Sequence, residues 1–171
     1  VTTIASGATL VLGGSSGSLA GNVNNSGVLT FDRTQSYGGV ISGGGAVNVN
    51  SGNVTLAADN AYTGVTTVGA TSLTLGGSNT SSTIYVGTNT LFLATNSSQT
   101  ISGVIAGAGI LDKVGTGTTY LTGLNTFSGI TSVDGGTLNI SNILSGTIYV
   151  NTGASLVGSG ASGSVVHVNG G

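Results

Sequence analysis

Gly103-Val104-Ile105-Ala106-Gly107-Ala108-Gly109 is followed by Asn125-Thr126-Phe127-Ser128-Gly129-Ile130-Thr131-Ser132-Val133 and then by Leu138-Asn139-Ile140. The same order stands earlier in the chain. It reads Gly39-Val40-Ile41-Ser42-Gly43-Gly44-Gly45, then Asn60-Ala61-Tyr62-Thr63-Gly64-Val65-Thr66-Thr67-Val68, then Leu73-Thr74-Leu75. The offset from Gly39 to Gly103 is one residue shorter than that from Asn60 to Asn125, so the period is nearly constant. Thr83-Ile84-Tyr85-Val86 also returns unchanged, as Thr147-Ile148-Tyr149-Val150. A fixed internal period marks an array in which each unit buries its apolar face against the next. The repeats occupy approximately 39–75 and 103–140, within one solenoid unit spanning 1–171. An array offers a long surface more readily than an enclosed pocket.

Within the repeats, apolar residues fall at every second position. Leu29 and Phe31 flank Thr30, Val47 and Val49 flank Asn48, and Leu73 and Leu75 flank Thr74. Ile84 and Val86, Leu138 and Ile140, Ile148 and Val150, and Val166 and Val168 follow the same rule. Such alternation is the signature of a half-buried strand. Gly- and Asn-rich turns separate the strands, and no segment carries a helical stripe. An all-β array can be a propeller or sandwich of hairpins, or a solenoid of parallel coils; strands this short favour the solenoid. Dividing one repeat period into three coils predicts about 21 residues per coil. About eight coils at the usual strand spacing make a rod roughly 40 Å long. Ile148-Tyr149-Val150-Asn151 aligns with Val166-His167-Val168-Asn169 further on. If these are neighbouring coils, the aliphatic residues point inward and Tyr149 and His167 meet outside.

Gly, Ser, Thr and Asn supply 97 of the 171 residues, yet 38% of the chain is apolar and alternating, which separates it from a flexible linker. Pro is absent, so no ladder donor is lost. Charge is confined to Asp32, Asp59, Asp112, Asp134, Arg33 and Lys113, with His167 the only histidine. A net charge of −2 gives no grip on phosphate and argues against nucleic acid as a partner. It also argues against a polybasic membrane anchor. Without Cys there is neither a disulfide framework nor a thiolate metal site. No apolar run is long enough to span a bilayer as a helix. The chain starts at Val1, contains no Met and stops at Asn169-Gly170-Gly171 in mid-pattern, so it reads as a piece of a longer protein.

Candidate chemistry is thin. A Ser-His-Asp triad would need His167 as base, but no G-x-S-x-G elbow exists and strand parity turns His167 outward beside Tyr85 and Tyr149. Asp59 and Asp134 lie near equivalent motifs without aligning, so a carboxylate pair is conceivable and turn roles are favoured. Calcium-binding rolls repeat G-G-x-G-x-D, and Gly43-Gly44-Gly45-Ala46-Val47 lacks the Asp. Asn60 and Asn125 precede the aromatics Tyr62 and Phe127; they read either as a ligand-facing ladder or as turn residues bonding the backbone, and the second is favoured. Lys113 replaces Val49 at an inward position and is expected at a strand end, snorkelling out toward Asp112 or another carboxylate. Asn-x-Ser/Thr triplets, such as Asn24-Asn25-Ser26, are expected by chance in this composition. No catalytic, cofactor-binding or metal residue is assigned.

Gly107-Ala108-Gly109-Ile110-Leu111-Asp112-Lys113-Val114-Gly115-Thr116-Gly117-Thr118, then Leu121-Thr122-Gly123-Leu124-Asn125-Thr126-Phe127 and Gly136-Thr137-Leu138, resembles the passenger-associated repeat of bacterial type V autotransporters. In the copy at 39–75, Val49 stands for the Lys and Ala70-Thr71-Ser72 for Gly-Gly-Thr. The resemblance implies a right-handed parallel β-helix on the outer surface of a Gram-negative bacterium, exported by a C-terminal membrane barrel that this sequence does not include. It implies scaffold more than activity, and the expectation is a non-enzymatic structural or adhesive segment. The expected partners are a second copy, met laterally or end to end, or a host or matrix surface. An extracellular end-to-end filament and a carbohydrate-active lyase or hydrolase are the alternatives. The second would need clusters of Glu, Arg or Lys that this chain lacks.

Overall fold

The computed structural model describes residues 1–16, 18–69, 71–142, 144–159 and 165–169; Ala70 and the terminal Gly170 and Gly171 named above lie outside them. Short strands joined by tight turns wind around a single axis, and among the described residues there is no helix. Every strand pairing is parallel. The stacked strands form three faces. The first runs from Thr2–Ile4 to Ala61–Tyr62 and resumes from Ser98–Ile101 to Ser155–Val157, with the bridges Asn60 to Asn79 and Asn79 to Ile101 between. The second holds seven strands from Thr9–Leu12 to Thr126–Phe127, and the third eight strands from Gln35–Tyr37 to Val165–Val168. The fold is a β-solenoid of about eight turns.

Coil length is not uniform, and several coils are shorter than expected. Ile130 pairs with Thr147 and Leu73 with Leu91, closer along the chain than a third of the repeat period. Ile84 pairs with Ile105 at the expected separation. Turn length varies from coil to coil, so one repeat period is not three coils. Tyr62 sits in the first face and its counterpart Phe127 in the second. Leu75 sits in the third face and Ile140 in the first; Ile84 is in the second and Ile148 in the third. One repeat therefore advances the chain by three turns and a third, and equivalent residues point in different directions.

The core consists of inward ladders along the axis. On the third face one ladder is Leu56, Leu75, Leu93, Lys113, Val133 and Val150. Leu73, Leu75, Ile84, Val86, Leu138, Ile140, Ile148 and Val150 are all buried, as alternation requires. Val166 and Val168 depart from the expectation. They follow Ile148 and Val150 in register but are 42% and 73% exposed, because this last rung has a neighbour on one side only among the described residues.

The glycine of the Thr63-Gly64-Val65 and Ser128-Gly129-Ile130 corners has a packing cause. A Cβ on Gly64 would collide with the carbonyl oxygen of Gly45, and one on Gly129 with that of Gly109. Each lies one coil back, so the corner closes only with no side chain.

Candidate functional site

Outward positions form rows, and the faces differ in chemistry. The second face carries Val11, Thr30, Asn48, Thr67, Tyr85, Ala106 and Thr126 in register, none of them charged. Thr30 is buried, and the others are at least partly exposed. The third face presents Ser36, Thr55, Thr74, Phe92, Asp112, Ser132, Tyr149 and His167. Its last four rungs place Asp112, Ser132, Tyr149 and His167 side by side.

His167 and Tyr149 meet outside as their aligned segments predict, with ring centroids 5.0 Å apart and planes 14° from parallel. Ser132 is in the same row, but Tyr149 stands between it and His167. The Ser132 hydroxyl donates to Asp134 Oδ1, which also accepts from Asn151 Nδ2. The hydroxyl is thus held by a carboxylate, and the row assembles no Ser-His pair. Among the described residues no three His, Cys, Asp or Glu side chains gather.

Asp59 and Asp134 do not pair. Asp59 Oδ1 accepts the Ser78 amide at 2.7 Å in a turn several coils away. The carboxylate that couples to Asp134 is Asp112, one coil back. Burial first, and then the charge of Asp134, push the Asp112 carboxyl up to about 6. Asp112 Oδ1 is buried without a partner. Asp134 is held below its ordinary value, chiefly by the Ser132 hydroxyl. Finding this pair from sequence required the true coil length. A coil of uniform length shifts the two strands by one residue and turns one carboxylate away.

Lys113 corrects an expectation. It is inward, as parity requires, but it neither snorkels out nor reaches a carboxylate. The side chain is fully buried. Its ammonium donates to the carbonyls of Val114 at 2.8 Å, Gly115 at 3.1 Å and Gly135 at 3.1 Å, tying two coils together at a corner. Burial lowers its pKa from the usual lysine value.

Asn60 and Asn125 are not a ligand-facing ladder. Asn60 Oδ1 accepts the Ile41 amide at 2.9 Å, and Asn125 Oδ1 accepts the Ile105 amide at 2.9 Å. Ile41 and Ile105 are themselves equivalent residues, so the Asn of each copy performs the same cross-coil bond to the backbone.

The family model described as passenger-associated-transport-repeat matches residues 49–71 and 111–140. Both segments are similar to that repeat. The second repeat contains Asp112, Lys113, Asn125 and Asp134, and the first contains Asn60 and Tyr62. Over 90 residues, half of the chain, the sequence is 39% identical to the adhesin BmaC autotransporter of Brucella suis biovar 1 (strain 1330). The chain spans 3% of that relative's length. No solved structure matches it.

Proposed function

We propose that this chain is a stretch of the passenger of a bacterial autotransporter, carried on the outer cell surface, and that its role there is structural and adhesive. The repeats and the similarity to a protein named an adhesin support the surface setting. One observation carries the adhesive reading: the second face holds an in-register row of uncharged residues, Val11 to Thr126, at least partly exposed at every position but Thr30. The Asn48 amide and the Thr67 hydroxyl in such a row can bond a similar row on another copy or on a matrix surface. Each contact is weak, but many in register give avidity. Without charge in this row, two like rods meet without repulsion.

In this reading the chain has no catalysis of its own. Beads coated with the protein test the proposal, by their clumping and their retention on matrix-coated plates. Asn48→Glu with Thr67→Glu puts two charges on the outward row and leaves the core intact. Loss of both clumping and retention is the expected result. Unchanged adhesion with an unchanged unfolding temperature would remove the second face from the account.

A further inference from the structure

Ile110 and Ile130 pair directly on neighbouring strands of the third face and are 41% and 47% exposed. Earlier rungs hold polar residues at the same register position: Asn53, Ser72 and Thr90. Two large aliphatic side chains side by side on a sheet surface gain from burial only when something covers them. The next outward position along these strands holds Asp112 and Ser132, with Phe92 one rung before and Tyr149 one rung after. Asp134 follows Ser132 by two residues and is exposed.

Charge selects what covers this surface. The Ser132 hydroxyl and the Asn151 amide hold the Asp134 carboxylate in place. Asp112 is half-buried with Oδ1 closed off, so a ligand meets Asp134 and feels the charge of Asp112 beside it. Burial, and then the charge of Asp134, push the Asp112 carboxyl up to about 6, so at neutral pH both groups are ionised and repel each other. No cation of this chain relieves them. Lys113 is committed to carbonyls in the core, and half-buried Arg33 donates to Gln35 near the other end of the face. A second copy therefore brings no free cation either. Among the described residues no third acidic or histidine side chain joins the pair, which leaves too few ligands for a metal ion.

We infer that this part of the third face docks an extended segment of a different, basic protein, in which an aliphatic residue stands two positions before an arginine. Side chains two apart on an extended segment point the same way and are about 7 Å apart, the spacing from Ile130 to Ser132 on the strand beneath. The aliphatic side chain covers Ile110 and Ile130. The guanidinium then lies over Asp112 and Ser132, between the rings of Phe92 and Tyr149, and donates to Asp134. Guanidinium fits better than ammonium, because its planar donors match a carboxylate and its face stacks on aromatic rings. The inference rests on the surface-adhesive reading and gives it a partner class, on a face that the uncharged row does not use.

The test is a titration of the isotope-labelled chain with the capped peptide Leu-Thr-Arg-Thr, followed by amide chemical shifts at neutral pH and low salt. The same peptide with citrulline for arginine, which keeps the shape without the charge, is one comparison, and calcium chloride is the other. Saturable shifts around Ile110, Ile130 and Asp134 are expected with the arginine peptide, with the citrulline peptide about tenfold weaker. Asp134→Asn weakens binding about tenfold, and Ile130→Thr, which restores the polar character of the earlier rungs, weakens it severalfold. No saturable shift with the arginine peptide, equal binding of the citrulline peptide, full binding by Asp134→Asn, or saturation of the same residues by calcium alone overturns the proposal. The native titration decides even if a variant fails to fold. No second copy or matrix surface enters the assay, so its failure leaves the bead experiment standing.

Discussion

Tyr62 Oη and Thr66 Oγ1 lie 2.6 Å apart inside the solenoid, whereas Phe127 and Thr131, their counterparts one repeat later, share no such bond. Asn79 Nδ2 completes the first trio by donating to Tyr62 Oη at 3.0 Å. Leu144 lies as far beyond Asn125 as Asn79 lies beyond Asn60, and it is buried too. The polar trio has become apolar except at Thr131, whose hydroxyl is buried and unpaired.

Thr131→Val should therefore stabilise the protein by about 1 kcal/mol, the cost removed with an unsatisfied buried hydroxyl. Tyr62→Phe should destabilise by about 1–3 kcal/mol, because it strips Thr66 and Asn79 of a buried partner. Urea unfolding of the two variants reads both signs. Destabilisation by Thr131→Val would mean that its hydroxyl has a partner in solution.

Asp112 sets a pH dependence. Its carboxyl is raised in the folded state to about 6 from an ordinary 3.8, so folding takes up protons between these values. Stability from this group is greatest below 3.8, declines as pH rises, and levels off above about 6. Asp134, which is lowered, contributes in the opposite sense only in more acidic solution. The unfolding temperature should fall across this window by this mechanism, and Asp112→Asn should flatten the decline. The pair is partly open to solvent, so salt should weaken the effect. A native profile identical to that of Asp112→Asn contradicts the coupling.

Lys113 should be inert to trypsin in the folded protein, since its side chain is buried, which leaves half-buried Arg33 as the other site. Lys113→Met keeps the stem between Leu93 and Val133 and should cost less than about 1.5 kcal/mol, because apolar replacement of a buried charge is often near neutral. Lys113→Asp should cost several kcal/mol, as should Leu138→Asp, since each buries an unpaired carboxylate. Native trypsin digestion and urea unfolding check these outcomes. Rapid cleavage at Lys113, or unchanged unfolding of Leu138→Asp, would place those side chains outside the core.

Alternation alone made the inward residues legible, because period two has one solution once a face is buried. Leu73, Leu138 and Ile148 follow directly from it. Coil length was not legible from the repeat. Corners of different size separate the strands, and only the pairings of Ile130 with Thr147 and Ile84 with Ile105 show how far the coil varies. The site suffered from the same gap: Asp112 meets Asp134 across one coil, and a coil of uniform length does not bring them together. Parity correctly puts Lys113 inward, but its partners are three corner carbonyls that no motif reveals.

Parallel stacking in the stated register is the claim on which the ladders, the rotated repeat and the outward rows all depend. Thr74 and Phe92 face outward on adjacent rungs of the third face. The chain has no native Cys, so paired cysteines report without background. Rungs about 4.8 Å apart are within disulfide reach. Thr74→Cys with Phe92→Cys should cross-link within the monomer under mild oxidation. Thr74→Cys with Thr95→Cys, the pairing that three equal coils per repeat would demand, should not. Failure of the first pair with efficient closure of the second would contradict the fold as described.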